Sequence, residues 1–444
     1  MNLCLLHQWA VVKLCYLEVN LSMTTNKGHL YIKVIFYLLT ITLMSSIAGT
    51  ELFSNLLILG VLVSFVSQKA FNKNLLSIQF IKIGYEKIFI AIILVTFISL
   101  FKGGLDTERV HIFLSLRWIL FFYVTYHFAY VYLSQKQLHI IVKLLSLIAI
   151  MAGTYAIYQH FTGTDFFRNK PLPIYSVEIQ TFRSSGFFNN PMTFSHHMSM
   201  IFSFLFPFAF FYKGSKTEKI LYLSGFILAG LGVFFSMTRG AWLSAFFSVF
   251  IVLAFRKFKL AFILLTIGLV TLIALSKTNT SYGLRIRTIG NMNYSSNLSR
   301  LIIWKSHLQL FRDNPSFGIG LNRNYIEVEP YMTKLAGGTK YFQLSHAHNT
   351  VIQLLAGVGF IGLIAFLAFF TKLFIINIRL VLLNKNSASL LSIFTLGALG
   401  AHISMTIGGL TEATFKDAEI KLLFIFLMAL VLAFNTRRKK NNTT

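Results

Sequence analysis

Apolar runs of membrane-spanning length recur along this chain, and that recurrence limits its fold more than any single motif. About 20 apolar residues in a row cross a bilayer as a helix, and a spanning backbone must satisfy its own hydrogen bonds. Runs that meet or approach this length lie at 30–48, 52–67, 88–101, 112–132, 138–160, 191–212, 219–236, 240–255, 258–276, 349–370, 388–407 and 419–434. Only 12% of the 444 residues are charged, about half the share of a soluble domain. The expected fold is an all-α polytopic membrane protein with about 12 transmembrane helices. A membrane β-barrel would show short alternating segments instead. No period of 20–50 residues marks a repeat array.

The formal charge of +26 does not imply nucleic acid, because the basic residues punctuate the apolar runs and form no single patch. Both cysteines, Cys4 and Cys15, fall near the start, where they make neither a disulfide framework nor a cysteine metal site. Residues 1–22 have no clear signal-peptide cleavage site and read as a dispensable or misassigned leader, with Met23 just ahead of the first convincing span.

Alternate connections carry Lys69, Lys73, Lys82 and Lys87, then Lys136, then Lys213, Lys216 and Lys219. The series continues through Arg256, Lys257, Lys259, Lys372, Arg379 and Lys385 to "RRKK" at 437–440. Under the positive-inside rule these are cytoplasmic anchors, which places both termini inside. The other connections face outward: "KGGLDTER", 161–190, the turn at Arg239, 277–348 and "GGLTEATFKDAE". The organisation expected is a leader at 1–29, nine helices in 30–276, an outer loop at 277–348, three helices in 349–434 and a basic tail at 435–444.

Polar residues that anchoring does not explain collect on the outer side. The 277–348 loop has an excess of Lys and Arg, which suits an anionic partner such as lipid phosphate, pyrophosphate or acidic glycan. Within it "NLSRLIIWKSHLQLFRDNP" reads as an amphipathic helix. Leu301, Trp304, Leu308 and Phe311 lie at helical spacing, with Arg300, His307 and Arg312 among the polar positions. Such a helix lies in the membrane interface, apolar face down. "SFGIGLNRN" follows as a glycine-punctuated turn.

In "FFSMTRGAWLSAFF" Arg239 occupies a minimal turn between two spans. It is either a snorkelling anchor or a guanidinium held for bidentate phosphate recognition. "TFRSSGFFNNPMTFSHHMSM" adds Arg183. There Asn189 and Asn190 cap a helix whose first turn holds Pro191, and His196 and His197 read as buried packing residues. In "SHAHNTVIQLLAGVGFIGLIAF", His346 and His348 stand at the mouth of a membrane helix. An interfacial anchor, a metal ligand and a general base are all open readings of that placement.

In order, "FRSSGFFNNP", "SMTRGAWLS", "SRLIIWKSHLQLFRDNPSFGIGLNRN", "HAHNTVIQLLAGVGFIGLIAF" and "GGLTEATFKDAEI" resemble the O-antigen ligase and polymerase superfamily over residues 182–420. That resemblance implies a multi-pass bacterial inner-membrane glycosyltransferase whose large loop is periplasmic. Its donor would be an undecaprenyl-diphosphate-linked glycan. A ligase passes the glycan to a sugar hydroxyl of lipid A–core; a polymerase passes it to another lipid-linked repeat unit. The arginines carried over are Arg183, Arg239 and Arg300, as diphosphate ligands, and the catalytic histidine is His348, with His346 beside it.

The chemistry suits those residue types. Displacing a lipid diphosphate from a sugar C1 builds negative charge, which fixed guanidinium groups stabilise. No Asp-rich metal motif lies on the outer side, so neither metal nor cofactor is expected. A sugar hydroxyl needs a base, and His348 fits the task. Nearby arginine charge and the positive end of the helix starting around Asn349 both oppose a proton on its ring. Direct attack would invert the anomeric centre, whereas a covalent intermediate would need a carboxylate. Glu412, Asp417 and Glu419 are candidates, with structural or acceptor-orienting roles favoured, Glu412 and Asp417 foremost. A transporter or flippase would show broken helices and ionisable groups at mid-membrane in both halves, and the sequence lacks that symmetry.

Overall fold

The computed structural model describes residues 25–71, 82–101, 104, 106–172, 174, 181–337, 345–385 and 387–443. The leader 1–22 with Cys4 and Cys15, then Met23, the anchor Lys73 and residues 338–344 of the outer loop lie outside these residues.

The described chain is almost wholly helical. Its helices are α1 (Thr25–Ser45), α2 (Ile47–Phe71), α3 (Glu86–Phe101), α4 (Thr107–Leu114), α5 (Trp118–Tyr132), α6 (Gln135–Thr162), α7 (Pro191–Phe210), α8 (Lys216–Phe235) and α9 (Arg239–Arg256). There follow α10 (Phe258–Ser276), α11 (Ser281–Arg287), α12 (Ser295–Asp313), α13 (Asn324–Glu327), α14 (Glu329–Leu335), α15 (Thr350–Leu383), α16 (Leu390–Gly408) and α17 (Ala418–Thr443). The strands are a two-residue hairpin, β1 (Thr164–Asp165) with β2 (Lys170–Pro171). Among the described residues eight helices are long and apolar enough to cross a membrane. The expected runs overlap these helices, but 30–48 crosses the break between α1 and α2 at Ser46, and 112–132 is divided between α4 and α5 by a 3-10 turn at Ser115–Arg117.

Local chemistry sets the starts. Ser215 and Glu218 form a reciprocal capping box on α8. The Asn190 side chain accepts from Met192 N ahead of Pro191, and Asn349 caps α15 by accepting from Val351 N and Ile352 N. α16 and α17 form the centre, with five-sixths of their apolar windows buried (83% each), whereas α10 is a peripheral helix at 6%. α16 packs on α7 and α9, α17 on α5, and α15 on α3 and α12.

Basic residues of the connections and helix ends bond to neighbouring connections. Lys372 bonds the Gly84 carbonyl, Arg437 the Leu133 carbonyl at 2.9 Å, Arg438 the Asn384 amide oxygen at 2.6 Å, and Arg256 the Ser387 carbonyl at 2.9 Å. The other set meets likewise: Arg323 binds Glu108 at 3.0 Å, and Thr193 donates to Asp417 at 2.8 Å. These contacts tie the connections to one another within each group.

Two expectations need correction. The run at 349–370 is part of a helix that reaches Leu383, so Lys372 and Arg379 are helical and not in a loop. An α-helix can outrun the bilayer, and 34 residues span about 51 Å. The second correction concerns α12. Its buried face is Ile303, Ser306, His307 and Leu310, packed on Val328, Met332 and Ala356. Leu301, Trp304 and Phe311 are only half-buried and Leu308 is exposed, while His307, read as polar-facing, is fully buried. Contacts with α14 and α15 select a face that apolar spacing alone did not.

α15 is broken at Gly359, whose φ of 67° is left-handed. The break frees backbone groups for the 315–320 turn: Phe360 N donates to Pro315 O at 2.8 Å and Gly320 N to Gly357 O at 2.8 Å. A Cβ on Gly318 would come within 2.5 Å of the Gly357 backbone. Glycines on both partners thus let two backbones touch, and the contact anchors the end of α12 beside the upper turns of α15.

Candidate active site

The site lies where the α15 N-terminus meets the 409–417 connection. Thr350 N donates to Gly409 O at 2.7 Å, and Asn349 Nδ2 to Leu410 O at 3.0 Å. These bonds bring Glu412 to both histidines of the "HAHN" stretch. His346 Nε2 is 2.5 Å from Glu412 Oε1; His348 Nδ1 is 2.8 Å from Glu412 Oε2. An ionised carboxylate can only accept, so both facing nitrogens carry protons. Burial would raise the Glu412 carboxyl, but the hydrogen bonds from the two histidines hold it well below its ordinary value.

The tautomer of His348 follows. With Nδ1 donating to Glu412, Nε2 is the accepting nitrogen, and Ser345 Oγ meets it at 2.9 Å. The Ser345 hydroxyl thus occupies the space facing Nε2. His348 also has a left-handed φ of 45°, a strained conformation for a non-glycine residue. Ala347 N, between the histidines, donates to the buried Gln353 at 3.0 Å.

The arginines divide into two kinds. Arg183 and Arg239 serve the turn joining α8 to α9. Arg183 donates to Ser236 O at 2.9 Å and Thr238 Oγ1 at 2.8 Å. Arg239 is buried, 9% exposed, and donates to Thr288 O at 2.5 Å and Asn297 Oδ1 at 2.8 Å. That geometry removes the reading of Arg239 as a solvent-seeking anchor: its guanidinium clamps α9 to the α11–α12 segment. Arg285, on α11, donates to Met237 O at 3.0 Å in the same turn. Arg300 differs. It is half-buried and, among the described residues, makes no hydrogen bond or ion pair. Its charge reaches His196 together with that of Glu412, so it stands close to the histidine site.

The Arg239 turn adjoins the same loop, since a Cβ on Gly240 would fall 2.0 Å from Thr411 Oγ1. Asp417 is bound by the Thr193 hydroxyl; burial raises its carboxyl, and the Glu412 charge adds to the effect. Asp417 therefore ties the loop to α7. His196 and His197 are buried, as expected of packing residues. Buried His307, pushed down to about 4 mainly by desolvation, feels the charges of His346 and His348.

Residues 224–367 match the family model described as O-Antigen ligase. Over this third of its length the chain is similar to the O-antigen ligase family. The matched segment includes Arg239, Arg300, His346 and His348, while Arg183, Glu412 and Asp417 lie outside it. No curated protein matches the chain. That similarity agrees with a multi-pass, helical membrane protein.

His346, His348 and Glu412 also place their ligating atoms within 4.8 Å of one another, and two imidazoles with a carboxylate are a donor set that zinc accepts. Ligands of a tetrahedral zinc with bonds of about 2.1 Å stand about 3.4 Å apart. The observed 2.5 and 2.8 Å separations are instead those of direct hydrogen bonds.

Sequence reasoning missed two features. Ser345 lies three residues before His348 and carries no motif signal. Glu412 was read as structural or acceptor-orienting, and its pairing with both histidines was not foreseen.

Proposed function

We propose that this chain is an O-antigen ligase. It would transfer a glycan from undecaprenyl diphosphate to a sugar hydroxyl of lipid A–core at the periplasmic face of the bacterial inner membrane, with both termini cytoplasmic. The observation that carries the proposal is the Ser345–His348–Glu412 alignment, in which Glu412 orients the ring and Nε2 is presented to a hydroxyl.

In the step proposed, the acceptor oxygen attacks the donor C1 while its proton passes to His348 Nε2. The C1–O bond to the diphosphate breaks and its electron pair leaves with the phosphate oxygen, inverting the anomeric centre. Arg300 is the donor-facing guanidinium, because its donors are not committed to the fold. Arg183 and Arg239 contribute positive potential and hold the turn that packs on the Glu412 loop. Glu412 and Asp417 position the loop and its histidine, and no carboxylate serves as nucleophile. The reaction needs no metal, so exhaustive chelation should leave the rate unchanged; loss on chelation with recovery on adding Zn²⁺ would make the three-residue cluster a metal site.

Expression in a strain lacking its own ligase tests the function. Restored O-antigen on lipid A–core supports ligase. Lipid-linked chains that lengthen without reaching core would make the chain a polymerase with the same site. For the orientation, Ser295→Cys, at the exposed start of α12, should react with an impermeant thiol reagent while the inner membrane is intact. Labelling only after that membrane is broken would reverse it.

A further inference from the structure

A second, narrow cleft opens beside Ala413, next to Glu412. Ser115, Trp118, Asn322, Phe415, Lys416 and Lys421 line it, together with Thr350. None of His346, His348, Glu412 or the three carried-over arginines does. Lys421 is the unusual member. It is only 9% exposed, and among the described residues its ammonium makes no hydrogen bond or ion pair. The Phe415 ring lies 5.8 Å from its Nζ. Lys416 likewise has no hydrogen-bonded or ion-paired side-chain partner among the described residues.

The charges around Lys421 do not quench it directly. Asp417, Glu419, Arg117 and Lys416 act on it only through longer-range electrostatics. Asp417 is held by Thr193, Arg117 is paired with Glu51, and among the described residues no carboxylate lines the cleft. A buried ammonium without a partner is costly, and the missing partner is an anion. The cleft interior measures 30 Å³, room for about two waters. That admits a phosphate or carboxylate group but not a sugar ring.

We infer that this cleft binds a compact oxyanion, phosphate or carboxylate, carried by the acceptor molecule. The link to the acceptor rests on the proposed ligase reaction; binding of the anion does not. A single side chain joins the two sites. Gln353 donates to Asn322 in the cleft wall at 3.3 Å and accepts from Ala347 N between the histidines at 3.0 Å. An anion seated here would be one residue away from the base.

The test uses the purified full-length protein in nanodiscs. Thermal stability is measured with inorganic phosphate, acetate or chloride at matched ionic strength, for wild type, Lys421→Gln, Lys416→Gln and Arg300→Ala. Phosphate or acetate should stabilise wild type and Arg300→Ala beyond chloride, and the stronger of the two names the oxyanion. Apparent affinity should fall about tenfold in each lysine variant, the weight of one charge-assisted hydrogen bond. Lys416→Gln, at a half-buried position, serves if Lys421→Gln does not fold. Equal response in wild type and the lysine variants, or none beyond chloride, overturns the site, as does loss of the response in Arg300→Ala alone. With the anion-bearing acceptor and the same acceptor lacking the anion, Lys421→Gln should raise KM only for the former and leave kcat within a few-fold. An unchanged KM alongside the binding defect would refute the acceptor assignment while leaving the anion site standing.

Discussion

His348 Nδ1 lies 2.8 Å from Glu412 Oε2 although 64 residues separate the two in sequence. The bond settles which ring nitrogen holds the proton and which one accepts, as the proposed base requires. It also makes Glu412 a positioning residue whose contribution can be measured apart from folding.

Glu412→Gln keeps the shape but loses an acceptor-only partner, so the ring can adopt the wrong tautomer. Transfer should fall by about 100-fold or more in kcat, with donor affinity nearly unchanged. Turnover by this variant within a few-fold of wild type would show that the carboxylate does not orient the base.

Ser345→Ala should leave transfer within about three-fold of wild type, since the serine hydroxyl occupies the place the acceptor takes. Serine, histidine and glutamate in line also resemble a nucleophile–base–orienter set. A trapped glycosyl-serine, or complete loss in Ser345→Ala, would assign the hydroxyl a covalent role.

The two kinds of arginine should separate in measurement. Arg300→Ala should weaken donor binding about tenfold or more without moving the melting temperature. Arg239→Lys should lower both stability and turnover, because an ammonium cannot span Thr288 and Asn297 together. Wild-type stability and activity in Arg239→Lys would remove the clamp.

His307 makes a pH prediction. Its ordinary value of 6.5 is pushed down to about 4, mainly by desolvation and also by the charges of His346 and His348, against the Ile303 carbonyl bond. Above pH 6.5 the ring is neutral whether folded or unfolded, and it contributes no pH dependence. Between about 6.5 and 4 the unfolded chain binds the proton and the fold does not, so stability should decline by about 3 kcal/mol. His307→Leu should flatten that part of the stability–pH curve; an identical slope in the variant would place the acid sensitivity elsewhere.

Much of this was legible in the sequence because membrane helices announce themselves. Apolar length and charge alternation located α6 or α10 without knowledge of tertiary contacts, and Asn190 with Pro191 marked the start of α7. The α12 face was not legible, because its apolar residues surround most of the helix and only contacts with Met332 and Ala356 select Ile303, His307 and Leu310. Glu412 was visible as an outer carboxylate, but its pairing with His346 and His348 depends on how α16 returns the chain to the α15 N-terminus. The unequal status of Arg300 and Arg239 was hidden for the same reason. Both look alike in sequence, and only Thr288 and Asn297 distinguish the clamp from the available guanidinium.

The most direct test is glycan transfer by purified His348→Ala supplied with lipid-linked donor and acceptor, with donor binding measured separately. The account predicts a loss of at least about 100-fold in rate with donor affinity intact, because a base acts on the acceptor proton and not on the diphosphate. His346→Ala should be milder, since Glu412 keeps its bond to His348. Normal transfer by His348→Ala would contradict the assignment of the base.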